Sequence, residues 1–165
     1  MSTINNIISQ IGKTGLAPAN RYRLIIPGID DYLNFYCESV TLPGRNINTN
    51  EYSTTGELKK IPYGYTDEDV NITLLLDREY KNRDYFTTWM EKIIDTKNFI
   101  TKYKSEYVQQ VTIQQLDVKN NPTYTVELVN AFPVNVGSVE LSSASENTIS
   151  RCNITLTFDK FIIKN

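Results

Sequence analysis

The sequence predicts a mainly β fold, an antiparallel sandwich or barrel of six to eight strands with one flanking α-helix. Near the end of the chain, apolar and polar residues alternate from 150 to 159, which is the two-residue period of a half-buried strand. Similar segments follow one another along the chain, separated by short polar turns. One stretch near residue 90 has helical spacing instead. Sequential strands with tight turns favour antiparallel pairing, and a lone helix then covers one open side of the sheet.

The composition predicts one domain, residues 1–165, and argues against most catalytic functions. The 165 residues are 40% hydrophobic, enough for a domain that buries about 70% of its unfolded surface. A net charge of -2 and a pI near 5.2 provide no basic surface for gripping nucleic acid. The absence of histidine removes the usual general base and the commonest metal ligand. We therefore expect no enzymatic activity, no cofactor and no metal.

The sequence also lacks the signals of membrane insertion and secretion. No apolar run approaches the roughly 18 residues that a membrane span requires. Residues 1–10 do not have the charged-then-apolar layout of a signal peptide. We expect a protein that is made and kept in a cytoplasm-like compartment, without a membrane partner.

The first third of the chain predicts a short helix and two strands. Residues 1–19 favour a short amphipathic helix, or an N-terminal arm that orders on a partner, because their isoleucines recur at helical spacing. Residues 21–26 and 34–41 are typical of strands, and a Pro-Gly pair ends the first of them. We expect these two strands to pair as a hairpin.

Two polar, extended segments follow, residues 46–52 and 58–63, joined by residues 53–57. Their apolar residues are too few to bury a hairpin against the protein's own core. A hairpin that cannot offset its ordering cost alone commonly pairs with a neighbouring chain. We therefore predict contacts with adjacent subunits or rings, the alternative being a mobile surface loop. The candidate contact residues are Ile47, Tyr52, Thr54, Gly56 and Leu58.

The rest of the chain is predicted to supply most of the core. A helix is predicted over residues 83–96, with Asn82 as its N-cap and an aromatic stripe packed on the sheet. Cys37 and Cys152 lie in alternating segments and are expected to be small buried hydrophobes, with a disulfide as the lesser alternative. Strands are predicted at residues 70–76, 106–116, 123–128 and 150–159.

The polar faces of these strands carry few charges, whereas solvated faces usually interleave Lys and Glu. Uncharged, β-branched faces suit strands that pair laterally with another chain. One interpretation is a structural subunit whose sheet edges join those of identical copies in a ring. Another is a free-standing β-domain that binds a peptide or glycan through some of its 11 tyrosines. An enzyme using Asp67, Glu68 and Asp69 is the remotest alternative, because adjacent residues in a turn do not flank a scissile bond.

Two motifs, neither of them catalytic, carry a family resemblance. The first is the run Phe132-Pro-Val-Asn-Val-Gly137, followed by Val139, Leu141, a turn at Asn147 and the final alternating segment. The second is the segment 20–26 followed by the segment 35–43. In this order and spacing, which cover roughly the whole chain, they resemble the tail tube proteins of T-even-like contractile phages.

The resemblance implies a structural virion protein rather than a binding module. It implies six-fold rings that stack coaxially into a tail tube, with inner sheets forming one continuous barrel around a channel for the phage genome. The implied partners are further copies of the chain, tail sheath and baseplate proteins and the tail terminator, in a virion tail assembled in the host cytoplasm. A baseplate protein that initiates the tube shares this fold and is the alternative role.

Such a channel must let DNA pass without binding it. Because DNA carries about one negative charge per 1.7 Å of helix axis, a lining rich in Lys and Arg would hold it. We therefore predict an uncharged or acidic lining, contributed by the strands at residues 71–75 and 110–116. The candidate lining residues are Asn71, Thr73, Thr112 and Gln114.

Overall fold

The computed structural model describes residues 17–54, 56–142 and 148–164. In these residues the strands are β1 (Tyr22–Ile25), β2 (Cys37–Val40), β3 (Arg45–Thr54), β4 (Glu57–Asp67), β5 (Val70–Leu75), β6 (Ile94–Asp95), β7 (Ile100–Thr101), β8 (Gln109–Leu116), β9 (Pro122–Val136), β10 (Arg151–Thr157) and β11 (Lys160–Lys164). The helices are α1 (Asp30–Tyr36), α2 (Lys81–Ile93) and α3 (Lys104–Tyr107). The predicted mainly β, antiparallel fold is confirmed, although very short strands such as β6 and β7 raise the strand number above six to eight.

Strand β9 organises the main sheet, whose order is β1-β8-β9-β10-β5-β2. The first part of β9 pairs with β8 on one edge and β11 on the other, so that Leu128 lies opposite residues of both. From Phe132 onwards, β9 pairs with β10. Asn130 separates the two parts with a φ of 57°, and its side-chain amide donates to Asp159 at 2.8 Å. A left-handed residue at this point bends the strand from one partner to the next.

The core lies between the inward faces of these strands and helix α2. Alternate residues along β5 and β10 are buried, as the two-residue period predicts. Helix α2 adds Phe86 and Trp89, and the Trp89 indole N–H donates to the Tyr107 carbonyl at 2.7 Å. Fully burying one large apolar side chain contributes about 1.5–3 kcal/mol. The fully buried residues include Leu24, Ile26, Leu33, Ile72, Leu74, Leu128, Ile154 and Leu156.

The helix predicted over residues 83–96 is confirmed as α2, but it begins and ends earlier. Asn82 is not its N-cap, because this residue lies within the first turn and is fully buried. The Asn82 amide donates to the Leu75 carbonyl at 2.6 Å and so ties the helix to β5. A carboxylate oxygen of Asp77 accepts from the Lys81 N–H at 2.9 Å and satisfies one of the free donors at the helix start.

The predicted hairpin of residues 21–26 and 34–41 is wrong. Strand β1 pairs with β8 and β2 pairs with β5, which places them at opposite ends of the sheet order. Residues up to Tyr36 belong to helix α1, where a tertiary contact outweighs the β propensity of the aromatic residues. The side chain of Asn34 accepts from the Leu24 N–H at 2.8 Å and donates to the Leu24 carbonyl at 2.9 Å. At Leu24 this amide takes the place of a neighbouring strand on the outer edge of β1.

The two cysteines lie on either side of the same residue. Cys37 of β2 and Cys152 of β10 are both opposite Leu74 of β5. Two inter-strand spacings, about 9–10 Å, separate them, which is too far for a disulfide. Both thiols are free, Cys152 is buried as predicted and Cys37 is partly buried. Burial is the main cause that raises the pKa of the Cys37 thiol to about 11.

Two other boundaries differ from those predicted. The strand expected from residue 106 begins at 109, because helix α3 occupies residues 104–107. The strand predicted over residues 150–159 ends as β10 at Thr157, and a further strand, β11, begins at Lys160; the two pair with different parts of β9. The predicted N-terminal helix and most of the turn around Asn147 lie outside the described residues.

Gly137, the last residue of the first motif, approaches β10 too closely to carry a side chain. A Cβ atom there would lie 2.9 Å from the carbonyl oxygen of Asn153, and the Gly137 N–H donates to that oxygen at 2.7 Å. Because the obstacle is backbone, a strand would have to move. We predict that Gly137→Ala lowers the free energy of unfolding by about 1–3 kcal/mol, measured by urea denaturation. In the control variant Gly64→Ala the new Cβ meets nothing within 4 Å, so equal midpoints for both variants would contradict this explanation.

Candidate assembly surfaces

Strands β3 and β4 form a long hairpin, residues 45–67, that stands apart from the core. They pair with each other from Arg45 and Asp67 at the base to Thr54 and Glu57 at the tip, as a sheet of their own. Almost all described residues of the hairpin are exposed. At the tip, Gly56 has a φ of +93°, a conformation that residues with a Cβ rarely adopt. The predicted hairpin is confirmed and extends further at its base than the sequence indicated.

The hairpin presents apolar side chains to solvent. Among the candidate contact residues, Ile47 is 60% exposed, Tyr52 is 42% exposed and Leu58 is 72% exposed. Cross-strand partners share a face of the ribbon, so Ile47 lies beside Tyr65. Thr54 is the last residue of β3, and its side chain lies outside the described part. The contact role of these residues remains a prediction.

Sequence reasoning missed two further exposed aromatic residues of the hairpin. Tyr63 and Tyr65 are 66% and 56% exposed. Tyr63 is the last residue of the second predicted segment, and Tyr65 falls in the connection predicted after it. The signal was the alternation of aromatic residues itself, which continues to Tyr65. Exposed apolar side chains on a ribbon that contributes no residue to the buried core are typical of an interaction surface.

The acidic residues at the base of the hairpin have structural partners. Arg45 donates to both carboxylate oxygens of Asp67, at 2.6 and 2.9 Å. This hydrogen bonding raises the pKa of the Arg45 guanidinium. Glu68 accepts from the Asn46 side chain at 3.0 Å, and its backbone N–H donates to the Gly44 carbonyl at 2.9 Å. These contacts hold the two strands together at the base of the hairpin. They give Asp67 and Glu68 a structural role.

The candidate lining residues Asn71 and Thr73 lie on the outward face of β5. They are opposite Thr155 and Asn153 of β10, respectively. The Thr73 hydroxyl donates to the Asn153 side-chain oxygen at 3.1 Å, and the Thr155 hydroxyl donates to that of Asn71 at 3.0 Å. Because these pairs are uncharged, this part of the face offers hydroxyl and amide groups and no charged group.

One ion pair lies at the end of this face. Arg151 donates to both carboxylate oxygens of Glu38, at 2.7 and 2.9 Å. Hydrogen bonds from Arg151 are the main cause that lowers the pKa of the Glu38 carboxyl. The pair is solvent-exposed, and its two charges cancel each other at neutral pH.

The other two candidate lining residues lie on a different part of the sheet. Thr112 and Gln114 are half-buried on β8, where Thr112 is opposite Glu127 and Gln114 is opposite Thr125. On its other side Gln114 is opposite Arg23 of β1. The structure therefore places Asn71 and Thr73 in an uncharged patch of β5 and β10, and Thr112 and Gln114 on a face of β8 beside the charged residues Glu127 and Arg23.

Metal-ligand clusters and membrane-spanning helices are two features that the described part of the chain lacks. Residues 17–54, 56–142 and 148–164 contain no group of three or more His, Cys, Asp or Glu that could hold a metal ion. None of the helices in these ranges is long and apolar enough to cross a membrane.

Comparison with known proteins identifies the family. A sequence profile described as "Phage tail tube protein" matches residues 3–164. The chain belongs to the phage tail tube protein family. The tail tube proteins gp19 of Enterobacteria phages T4 and T6 are similar to it, each 26% identical over 157 residues that cover 87% of this chain and 89% of theirs. The resemblance that the two motifs indicated is confirmed.

Solved structures of contractile injection systems share the fold of this tail tube protein. A chain of the extended sheath-tube complex of the injection system called PVC is 24% identical, with a TM-score of 0.64 and coverage of 99% of this chain and 98% of that one. A chain of the tube-terminating cap of the anti-feeding prophage is 18% identical, with a TM-score of 0.70 and coverage of 90% and 91%. A chain of the baseplate of that prophage is 14% identical, with a TM-score of 0.68 and coverage of 92% and 97%. These likenesses show the fold, which is shared by chains from assemblies with different roles.

We predict that deleting residues 53–57 from the hairpin tip leaves the tail tube protein folded as a monomer. The described residues of this segment lie at the tip of the exposed ribbon and none of them is among the buried core residues, so their loss removes no core side chain. The measurement is the cooperative thermal transition, followed by circular dichroism. Loss of that transition would show that the hairpin is part of the core.

Proposed function

We propose that this tail tube protein is the repeating subunit of the tube of a contractile phage tail, with six copies in each ring and rings stacked around a channel. The family match over residues 3–164 carries this proposal. Rings and stacks both require a heterologous interface, in which each copy offers a different surface to each neighbour. The long hairpin and the ends of the main sheet are two such surfaces.

The hairpin is proposed to contact the neighbouring ring or subunit. A two-stranded ribbon is marginally stable in water by itself, and this one leaves Ile47, Leu58 and Tyr63 more than half exposed. Burying one large apolar side chain of this kind contributes about 1.5–3 kcal/mol. Contact with another copy would therefore supply the stabilisation that the core does not.

The ends of the main sheet are proposed to join neighbouring copies within a ring. The sheet order ends at β1 and β2, and Asn34 occupies the outer edge of β1 at Leu24. Strand β2 ends the sheet on the other side. We infer that lateral pairing brings the β2 edge of one copy against a different surface of its neighbour, since an end strand is a ready template for another chain and a ring needs two unlike surfaces.

The further partners follow from the same proposal. Sheath, terminator and baseplate proteins would meet the tube along its outside and at its two ends, since the fold recurs in a sheath-tube complex, a cap and a baseplate. The subunits would assemble in the host cytoplasm and remain in the virion tail. We propose no enzymatic step, because the tube's task is to enclose a path for DNA.

Two alternative roles make different predictions about the number of copies. A baseplate protein that starts the tube would be present in one or a few rings per virion, whereas a tube subunit would be present in many. The fold does not separate these roles, since a baseplate chain shares it. A free-standing β-domain that binds a peptide or glycan would stay monomeric at any concentration.

Concentrated protein should form annuli or hollow rods that are visible by negative-stain electron microscopy. The physical reason is that contact with further copies buries the exposed apolar side chains of the hairpin and pairs the backbone groups at the sheet edge. Size-exclusion chromatography over a range of concentrations should show conversion from monomers to large assemblies. Isolated dimers, or a strict monomer without rods, would count against the proposal.

The channel is proposed to be lined by an uncharged face, and the Asn71 and Thr73 face of β5 fits this requirement best. It pairs with Asn153 and Thr155 in a patch of amides and hydroxyls. The Thr112 and Gln114 face lies next to charged residues and remains the second candidate. A lining without excess positive charge does not release counterions from DNA and so does not hold it.

Replacing Thr73 and Thr112 together by Lys should leave tube assembly largely intact and slow genome ejection. The slowing should be greatest at low salt, where the attraction between Lys and phosphate is least screened. Ejection kinetics from purified virions provide the measurement. The single variants Thr73→Lys and Thr112→Lys then assign the effect to β5 or to β8. Unchanged ejection at low salt in every variant, with tubes confirmed by microscopy, would mean that neither strand lines the channel.

A further inference from the structure

The side chain of Arg45 joins the long hairpin to the body of the protein. Its guanidinium carbon lies 4.4 Å from the ring centre of Tyr65 on the hairpin and 4.6 Å from that of Phe161 on β11. The same guanidinium donates to both carboxylate oxygens of Asp67, the cross-strand partner of Arg45. Phe161 packs against the core and makes an edge-to-face contact with Phe158 at 6.2 Å. One planar group thus connects both strands of the hairpin with the strand β11.

Without this contact the hairpin would be held to the body mainly by its two connections. They meet where the Glu68 N–H donates to the Gly44 carbonyl, and such a narrow base lets a two-stranded ribbon tilt. The Glu68 carboxylate sits so close to Gly44 that a Cβ on Gly44 would lie 2.8 Å from it. These contacts hold the two strands together, but they do not determine the angle at which the ribbon leaves the body.

We propose that Arg45 is a positioning residue that fixes the direction of the long hairpin, so that the hairpin meets the next copy of the chain already oriented. The proposal rests on the proposed role of the hairpin in contacts between copies. A segment that is held in its bound direction before contact loses less conformational freedom on association. Loss of the Arg45 contacts then raises the protein concentration needed for tube assembly.

Arginine is suited to this position and lysine is not. The planar guanidinium can donate to both oxygens of Asp67 with its edge while its faces lie on the rings of Tyr65 and Phe161. An ammonium group keeps the charge but is a point donor without faces to stack. Asp67 is well enclosed, its side chain being only 9% exposed, so the ion pair is partly protected from water. The variant Arg45→Lys therefore keeps the positive charge and removes the planar group that bonds to Asp67 and stacks on both rings.

The direction of the hairpin is followed by pulsed electron–electron double resonance on the full chain, which measures the distribution of distances between two spin labels. Spin labels are placed at Ser53 near the tip and at Lys119 in the turn between β8 and β9, in a Cys37→Ala background. We expect a narrow distance distribution with Arg45 present and a broad one in Arg45→Lys and Arg45→Ala. The matched control is Arg151→Lys, which alters an equivalent two-bond contact with Glu38 that involves no residue of the hairpin. The control should leave the distribution narrow.

Assembly is measured separately, as the protein concentration at which rods appear. We expect this concentration to rise about tenfold in Arg45→Lys, the change that about 1.4 kcal/mol of lost preorganisation produces, while the thermal transition of the monomer stays unchanged. Arg21→Lys, which alters an exposed arginine bonded to Asn120, is the control and should assemble as the unmodified chain does.

The two measurements distinguish the ways in which the proposal can fail. A narrow distribution in both Arg45 variants would overturn the positioning role. A broad distribution with an unchanged assembly concentration would overturn the link to assembly. If the chain lacking residues 53–57 forms rods at the normal concentration, the proposed assembly role of the hairpin tip is wrong, and the distance widths alone then decide whether Arg45 positions the hairpin.

Discussion

The pairing of β9 with three strands is the constraint on which the rest of the structure depends. Because β9 carries β8 and β11 along its first part and β10 along its last, it joins two groups of strands into one sheet system. The left-handed Asn130 marks the change of direction, and its hydrogen bond to Asp159 connects the break in β9 with the break between β10 and β11. The strands therefore bend together, and the enclosed space is filled by residues such as Leu128 and Leu156.

This arrangement separates the residues that stabilise the monomer from those that are available for assembly. Among the described residues, nearly all buried side chains belong to β1, β5, β8, β9 and β10 and to the helices α1 and α2, whereas β3 and β4 bury almost nothing. The body can therefore fold while the hairpin remains accessible to another copy. The contact of Arg45 with Phe161 is where these two parts of the tail tube protein meet.

The sequence was most informative where one local pattern determined the structure. The alternation around Ile72 and Ile154 predicted β5 and β10, and the turn residues around Gly56 predicted the long hairpin. The sequence predicts a strand that includes residues 34–36, yet a tertiary contact of Asn34 with Leu24 accompanies a helix there. The bend at Asn130, the separation of Thr73 from Thr112 and the approach of Arg45 to Phe161 each depend on chain segments far apart in sequence, which a periodicity does not reveal.

The amide of Asn34 on the edge of β1 also bears on how the chain reaches its native state. In the folded monomer both backbone groups of Leu24 are occupied, so that edge offers a passing strand no bonds at this position. A newly made chain has no such protection until α1 has docked beside β1. Misassembly through this edge is therefore a hazard of the folding period, and early docking of α1 would allow a tail protein to accumulate in large numbers without aggregating.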